Sequence, residues 1–98
     1  MAKGIDADFE IVNQALVTNL LGPWRLSNKF IPIMKKNRYG RIVNVSSSAG
    51  SLHFMGKGAP AYSISKTALN ALTCKLAAEL LGTGILVNSI DPWLGGNR

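Results

Sequence analysis

A serine, a tyrosine and a lysine in this sequence are spaced so that together they could move a proton to or from a carbonyl oxygen. Tyr62 and Lys66 are four residues apart, which places them on one face of a helix. An ammonium beside a phenol favours the phenolate, so Tyr62 could exchange a proton. Ser47 lies at the C-terminal end of a predicted strand, and its hydroxyl could hold the substrate oxygen. These residues suit carbonyl–alcohol interconversion, although Tyr-x-x-x-Lys arises by chance in many helices and a serine-rich strand end is commonly only a turn.

The residues that precede this trio predict one long, interrupted helix. It should begin near Asp6 or Asp8, either of which can cap it, and continue to about Lys36. Pro23 has no amide hydrogen, so the carbonyl of Asn19, four residues earlier, loses its helical partner. We therefore expect a kink at this point and a main-chain carbonyl that is available to other groups.

The rest of the chain predicts a strand, a helix and a second strand. Residues 41–47 are a β-branched run that leads into a polar loop, and a helical period begins at Ala61 and ends before two glycines. Residues 85–90 are the second strand, and a crossover of this length favours a parallel pair with a right-handed connection. With the first helix on the opposite face of the sheet, we expect an α/β fold in the order helix–strand–helix–strand, as one domain over residues 1–98.

Four motifs in this order resemble the short-chain dehydrogenase/reductase family, and its bacterial carbonyl-reductase-like members in particular. They are NLLGP (residues 19–23), GRIVNVSSSAG (40–50), AYSISKTAL (61–69) and ILVNSI (85–90). The resemblance implies a partial Rossmann-like fold of three layers. It also implies an NAD(P)(H)-dependent oxidoreductase that reduces a carbonyl compound or oxidises an alcohol, with NADP or NAD as cofactor and a small molecule as substrate.

The resemblance also implies a role for each residue that matches a family motif. Tyr62 would be the acid/base, and Lys66 would favour its ionised form and hydrogen-bond the nicotinamide ribose. Ser47, three residues before a glycine, would orient the substrate oxygen, with the serines on either side as alternatives. The main-chain carbonyl of Asn19 would hold a water that relays protons to the lysine. Pro92 matches the proline that follows the family's strand, and we expect it to contact the cofactor.

The sequence departs from the family pattern in its phosphate-binding half. No strand is followed by the glycine-rich turn that lets backbone amides approach a pyrophosphate. We therefore expect a piece from the middle of the family fold, with an unpaired strand edge and no turnover by itself. The alternative function is a truncated, catalytically incompetent fragment that acts at most as an association module. By resemblance the two helices would form a homo-oligomer interface, and Trp24 and Phe30 are assigned to core or interface instead of the substrate site.

Composition favours a cytoplasmic protein without a nucleic-acid, membrane or metal site. The net charge is +6 among 98 residues, and its densest cluster falls where the first helix should end, where cations complement the helix dipole: Lys35, Lys36, Arg38 and Arg41. Cys74 is predicted to be a buried small hydrophobe, and His53 a loop residue. No apolar run is long enough to cross a bilayer.

Overall fold

The computed structural model describes residues 4–45 and 60–90. A short 3₁₀ turn precedes three helices and two strands. They are α1 (Phe9–Leu16), α2 (Gly22–Asn37), β1 (Gly40–Val45), α3 (Pro60–Glu79) and β2 (Ile85–Ile90). The predicted α/β class and the order helix–strand–helix–strand are confirmed, with the first predicted helix divided into α1 and α2.

A π-helical segment, Val17–Leu21, joins α1 to α2. Asp8 caps α1, and its side chain accepts a hydrogen bond from the Glu10 amide at 2.9 Å. At the other end of the segment the Gly22 amide donates to the Val17 carbonyl, five residues back. The interruption predicted from Pro23 is therefore present, and it takes the form of a widened turn immediately before the proline.

The C-terminus of α2 is closed by two backbone hydrogen bonds. The Arg38 amide donates to the Lys35 carbonyl at 3.1 Å, and the Tyr39 amide donates to the Met34 carbonyl at 3.2 Å. Arg38 adopts the left-handed conformation, with φ of 55°, as expected for the residue that ends such a motif. The chain then enters β1 after a single further residue.

The two strands pair in parallel, with Gly40 opposite Ile85 and Val45 opposite Ile90. Helix α3 makes the crossover, as predicted, and supplies most of the core. The buried apolar side chains come from α3, the turn after it and β2: Leu69, Leu72, Leu76, Leu80, Ile85 and Val87. Burial of these side chains is the main source of stability in a sheet of this size.

The placement of the first helix differs from the prediction. Met34 of α2 lies against Gly40, and Ile42 packs against the cluster formed by α3 and β2. Both helices therefore cover the same face of the sheet. On the opposite face Val43, Val45 and Leu86 are at least half exposed, so the expectation that the first helix covers that face was wrong.

The prediction that Cys74 is buried was also wrong, because its side chain is exposed. The neighbouring Thr73 and Leu76 are buried and point toward the strands, and Cys74 lies outside this stripe of α3. Among the described residues, no helix is long and apolar enough to cross a membrane.

Candidate active site

The tyrosine and the lysine predicted to act together lie on consecutive turns of α3, beside the C-terminal end of β1. The Lys66 Nζ donates a hydrogen bond to the Val45 carbonyl at 2.9 Å. The same nitrogen lies 6.0 Å from the centroid of the Tyr62 ring. The last carbonyl of β1 thus holds the ammonium at the C-terminal end of the strands, where open α/β sheets bind ligands.

Asn19 is joined to the same turn of α3 through a buried serine. The Asn19 Nδ2 donates to the Ser65 Oγ at 3.0 Å, and that hydroxyl donates to the Tyr62 carbonyl at 2.9 Å. Ser65 is 0% exposed. A hydroxyl that both accepts and donates a hydrogen bond at full burial is satisfied, and it orients its two partners. The π-helical segment and the start of α3 are therefore linked by a polar contact and not only by packing.

The Asn19 main chain lies where the α-helical hydrogen-bond pattern is interrupted. Pro23 supplies no N–H at the position from which an α-helix would bond this carbonyl, and Asn19 lies within the π-helical segment, which departs from the α-helical hydrogen-bond pattern. The side-chain bond to Ser65 adds a second constraint, which holds the residue in one orientation. The side-chain amide of Asn19 is therefore engaged, and the availability of its main-chain carbonyl stays a prediction.

A groove of about 410 Å³ lies between the first helix and the start of α3. Both Asn19 and Tyr62 line it, and the remaining wall is contributed mainly by α1: Ile11, Gln14, Ala15, Thr18 and Ala61. Tyr62 is 42% exposed, so its side chain is accessible from this groove. The wall is largely apolar, as is usual for a small-molecule site with few polar groups.

A second buried hydrogen bond ties the middle of α3 to β1. The Asn44 Nδ2 donates to the Thr73 Oγ1 at 3.0 Å, and the Thr73 hydroxyl donates to the Leu69 carbonyl at 3.0 Å. Both polar side chains are buried. Asn44 is adjacent to Val45, so this contact and the Lys66 contact together fix the position of α3 along the strand.

The structure thus brings three of the predicted site residues, Asn19, Tyr62 and Lys66, to one end of the sheet. Ser47, Pro92 and His53 lie outside the described residues. The sequence analysis missed Ser65, although it is part of the motif that contains Tyr62 and Lys66. A small hydroxyl residue in the interior of an apolar helical face was the signal that could have identified it.

The described residues fit the ribose end of a nicotinamide cofactor. An ammonium has three N–H donors, and the bond to Val45 uses one of them. Within the described residues no further hydrogen bond of this ammonium is formed, which leaves two donors for ribose hydroxyls. The described part of the chain contains no group of three His, Cys, Asp or Glu side chains that could hold a metal ion.

Comparisons with known proteins give the family and its cofactors. A relative from Thermotoga maritima, an uncharacterized oxidoreductase, is 41% identical over 86 residues, which cover 85% of this chain and 32% of that protein. The 2-dehydro-3-deoxy-L-rhamnonate dehydrogenase (NAD(+)) of a Sphingomonas species is 39% identical over 74 residues, or 76% of this chain and 29% of that protein. The chain therefore spans about a third of the length of these curated relatives.

Solved structures show the same similarity in three dimensions. The NADPH-bound carbonyl reductase from chicken fatty liver matches with a TM-score of 0.79 at 27% identity, covering 93% of this chain and 40% of that one. The family model described as short chain dehydrogenase matches residues 2–94. On this match the chain belongs to the short-chain dehydrogenase/reductase family.

Proposed function

We propose that this chain carries the catalytic face of an NAD(P)(H)-dependent oxidoreductase that interconverts a carbonyl compound and an alcohol. The observation that supports this most directly is the position of the Lys66 ammonium. It is held 2.9 Å from the Val45 carbonyl and 6.0 Å from the Tyr62 ring centroid, at the ligand-binding end of the sheet. The Sphingomonas relative named above is a dehydrogenase that uses NAD(+), and the solved neighbour is a carbonyl reductase with NADPH bound.

In this proposal the residues of the chain move and steer a proton. Tyr62 gives its phenolic proton to the substrate oxygen during reduction and takes it back during oxidation. The Lys66 ammonium donates to the nicotinamide ribose and is resupplied with protons through a water at the Asn19 carbonyl. Ser47 orients the substrate oxygen, and Pro92 borders the cofactor. The nicotinamide, NADP or NAD, supplies or accepts the hydride.

Cofactor binding by the purified chain tests the proposal. We expect a saturable fluorescence change on titration with NADPH or NADH. Lys66→Met should weaken binding by about tenfold or more, because it removes a charge-assisted hydrogen bond. Lys29→Met removes an exposed lysine of α2 far from the site and should change affinity by no more than about twofold. Circular dichroism would show that both variants fold.

The proposed cofactor site would be rejected if the folded chain bound neither nucleotide, or if the two lysine variants weakened binding equally. We expect no turnover by the chain alone, since hydride transfer requires the cofactor to be fixed against the substrate carbon. If NADPH oxidation with a ketone were nevertheless observed, Tyr62→Phe should abolish it, because the phenylalanine retains the ring and removes only the proton donor.

A second candidate function, an association module, is supported by the groove between α2 and α3. The groove has a volume of about 660 Å³, and its wall includes Leu20, Trp24, Ala68 and Leu72. Trp24 is 42% exposed at its rim, and small residues opposite it would let a second helix pair approach. In this hypothesis two copies pair through α2 and α3, as the family resemblance implied. Size-exclusion chromatography with light scattering would test this hypothesis. A chain that stays monomeric at high concentration would rule out the association module.

Two expectations about the whole chain stay predictions. The first is that residues 1–98 behave as one domain. Limited proteolysis would check it, because a single domain should leave no stable smaller core. The second is a cytoplasmic location without nucleic-acid or membrane partners. Microscopy of the fluorescently tagged protein would check the location.

A further inference from the structure

The N-terminal ends of the two strands carry a second concave surface, which we call the basic notch. Its volume is about 560 Å³, and it is lined by Lys35, Arg38 and the turn between α3 and β2, residues 82–84. The strands run from Gly40 and Ile85 to Val45 and Ile90. The notch is therefore roughly 17 Å from the candidate active site, given the rise per residue of a strand.

The guanidinium of Arg41 is not part of the lining of the basic notch but contacts one of its lining residues, Gly84. Its carbon atom Cζ is 4.3 Å from the centroid of the Tyr39 ring. Its Nη1 donates to the Gly40 carbonyl at 2.7 Å and to the Gly84 carbonyl at 3.3 Å. No other hydrogen bond of this guanidinium is formed within the described part of the chain, so Nη2 and Nε remain as donors. A stacked, pinned arginine loses little freedom when it binds an oxyanion.

The floor of the basic notch is equally constrained. The Gly84 carbonyl also accepts the Gly40 amide at 3.2 Å, and a Cβ at Gly84 would overlap the Arg38 carbonyl oxygen. Arg38 itself holds a left-handed φ of 55°, which costs a residue with a side chain roughly 1 kcal/mol or more relative to glycine. The backbone that presents the cations is therefore already positioned.

Among residues 4–45 and 60–90, the cations around the basic notch form no ion pair with an acidic side chain. The ion pair found among the described residues, Lys75 with Glu79, lies on α3 and involves none of the notch cations. The C-terminal dipole of α2 is equivalent to about half a negative charge, whereas four basic residues lie within one short stretch: Lys35, Lys36, Arg38 and Arg41. The helix-end explanation of this cluster therefore accounts for only a small part of its charge.

We infer that the basic notch binds a small molecule through a diphosphate or polyphosphate group. Arginine offers a planar pair of donors that matches phosphate oxygens, and lysine adds a mobile point charge. Several cations around one concavity favour a ligand with several negative charges over a single carboxylate. The inference is independent of the proposed oxidoreductase function, because it uses the opposite end of the sheet and none of the residues of that site.

Titration with inorganic pyrophosphate, followed by calorimetry and by ¹⁵N NMR of the chain, tests the inference. We expect saturable binding that moves the amide signals of residues 82–84 and weakens as salt is added. Arg41→Gln should weaken pyrophosphate binding by about tenfold or more. The affinity of Arg41→Lys should lie between those of the wild type and Arg41→Gln, because lysine keeps the charge and loses the planar pair of donors. Lys29→Gln removes the same charge elsewhere on α2 and should change affinity by no more than about twofold.

Three results would overturn the inference. One is the absence of saturable pyrophosphate binding by the folded wild-type chain. A second is an equal loss of affinity in Arg41→Gln and Lys29→Gln, which would mean attraction by net charge alone. The third is binding to vesicles of phosphatidylcholine and phosphatidylserine, or to a single-stranded RNA, without binding to pyrophosphate, since either would assign the surface to a macromolecular partner.

Discussion

Replacing Gly84 by alanine should be among the most destabilising single-methyl additions in this chain. Gly84 has φ of +86°, and an alanine there costs roughly 1–2 kcal/mol for the left-handed conformation. Its Cβ would also overlap the Arg38 carbonyl oxygen. That oxygen belongs to the backbone and cannot rotate away, so the turn between α2 and β1 must move, at a further cost of roughly 1–3 kcal/mol. We expect a total of about 2–5 kcal/mol.

Gly82→Ala is the matched control for this substitution. Gly82 has nearly the same φ, +80°, and nothing lies within 4 Å of the position that a Cβ would take. It should therefore cost only the conformational term of roughly 1–2 kcal/mol. Urea unfolding followed by circular dichroism would measure both variants against the wild type. Equal losses of unfolding free energy in the two variants would refute the claim that the contact between Gly84 and Arg38 limits this turn.

Substitutions at three positions test the contacts that hold α3. Thr73→Val should lower the free energy of unfolding by about 1–3 kcal/mol, since it leaves the buried Asn44 amide without its acceptor. Thr73→Ser keeps the hydroxyl, so its free energy of unfolding should be closer to that of the wild type. Equal urea midpoints for the two variants would contradict this. Ser65→Ala should shift the side-chain NH₂ signals of Asn19 in ¹⁵N NMR and broaden them, and unchanged signals would argue against the Asn19–Ser65 bond. Leu69→Ala should cost about 2–5 kcal/mol through loss of burial and formation of a cavity, measured by thermal melting, and a change below about 1 kcal/mol would place Leu69 outside the core.

The sequence was sufficient for those elements whose pattern is local. The β-branched runs identified both strands, and the helical period identified α3 to within one residue at its start, since Pro60 and not Ala61 is its first residue. Parallel pairing followed from the length of the crossover. The chemistry of the Tyr62 and Lys66 pair was also readable, because a spacing of four residues on a helix places two side chains together whatever surrounds them.

Features that depend on tertiary packing could not be read in the same way. No strand precedes the first helix within the described chain, so hydrophobic pattern alone could not decide which face of the sheet it covers. The exposure of Tyr62 is a second case, since its spacing from Lys66 says nothing of burial, and the structure leaves its side chain 42% exposed on the first turn of α3. The π-helical turn before Pro23 is a third case, because a missing amide predicts an interruption but not the form it takes.

The contacts along α3 divide between those that stabilise it and those that orient it. Near its C-terminal half the contacts are apolar, from Leu72 to Leu80, and such packing is non-directional and tolerates small shifts. Toward its start they are hydrogen bonds, from Lys66 to the Val45 carbonyl and through Ser65 to Asn19, and in its middle Thr73 accepts a hydrogen bond from Asn44. Hydrogen bonds depend steeply on angle and distance, so these contacts set the position of the turn that carries the candidate acid/base. Core substitutions should therefore lower stability with little effect on cofactor affinity, whereas loss of a bond near the start should change that affinity at a smaller cost in stability.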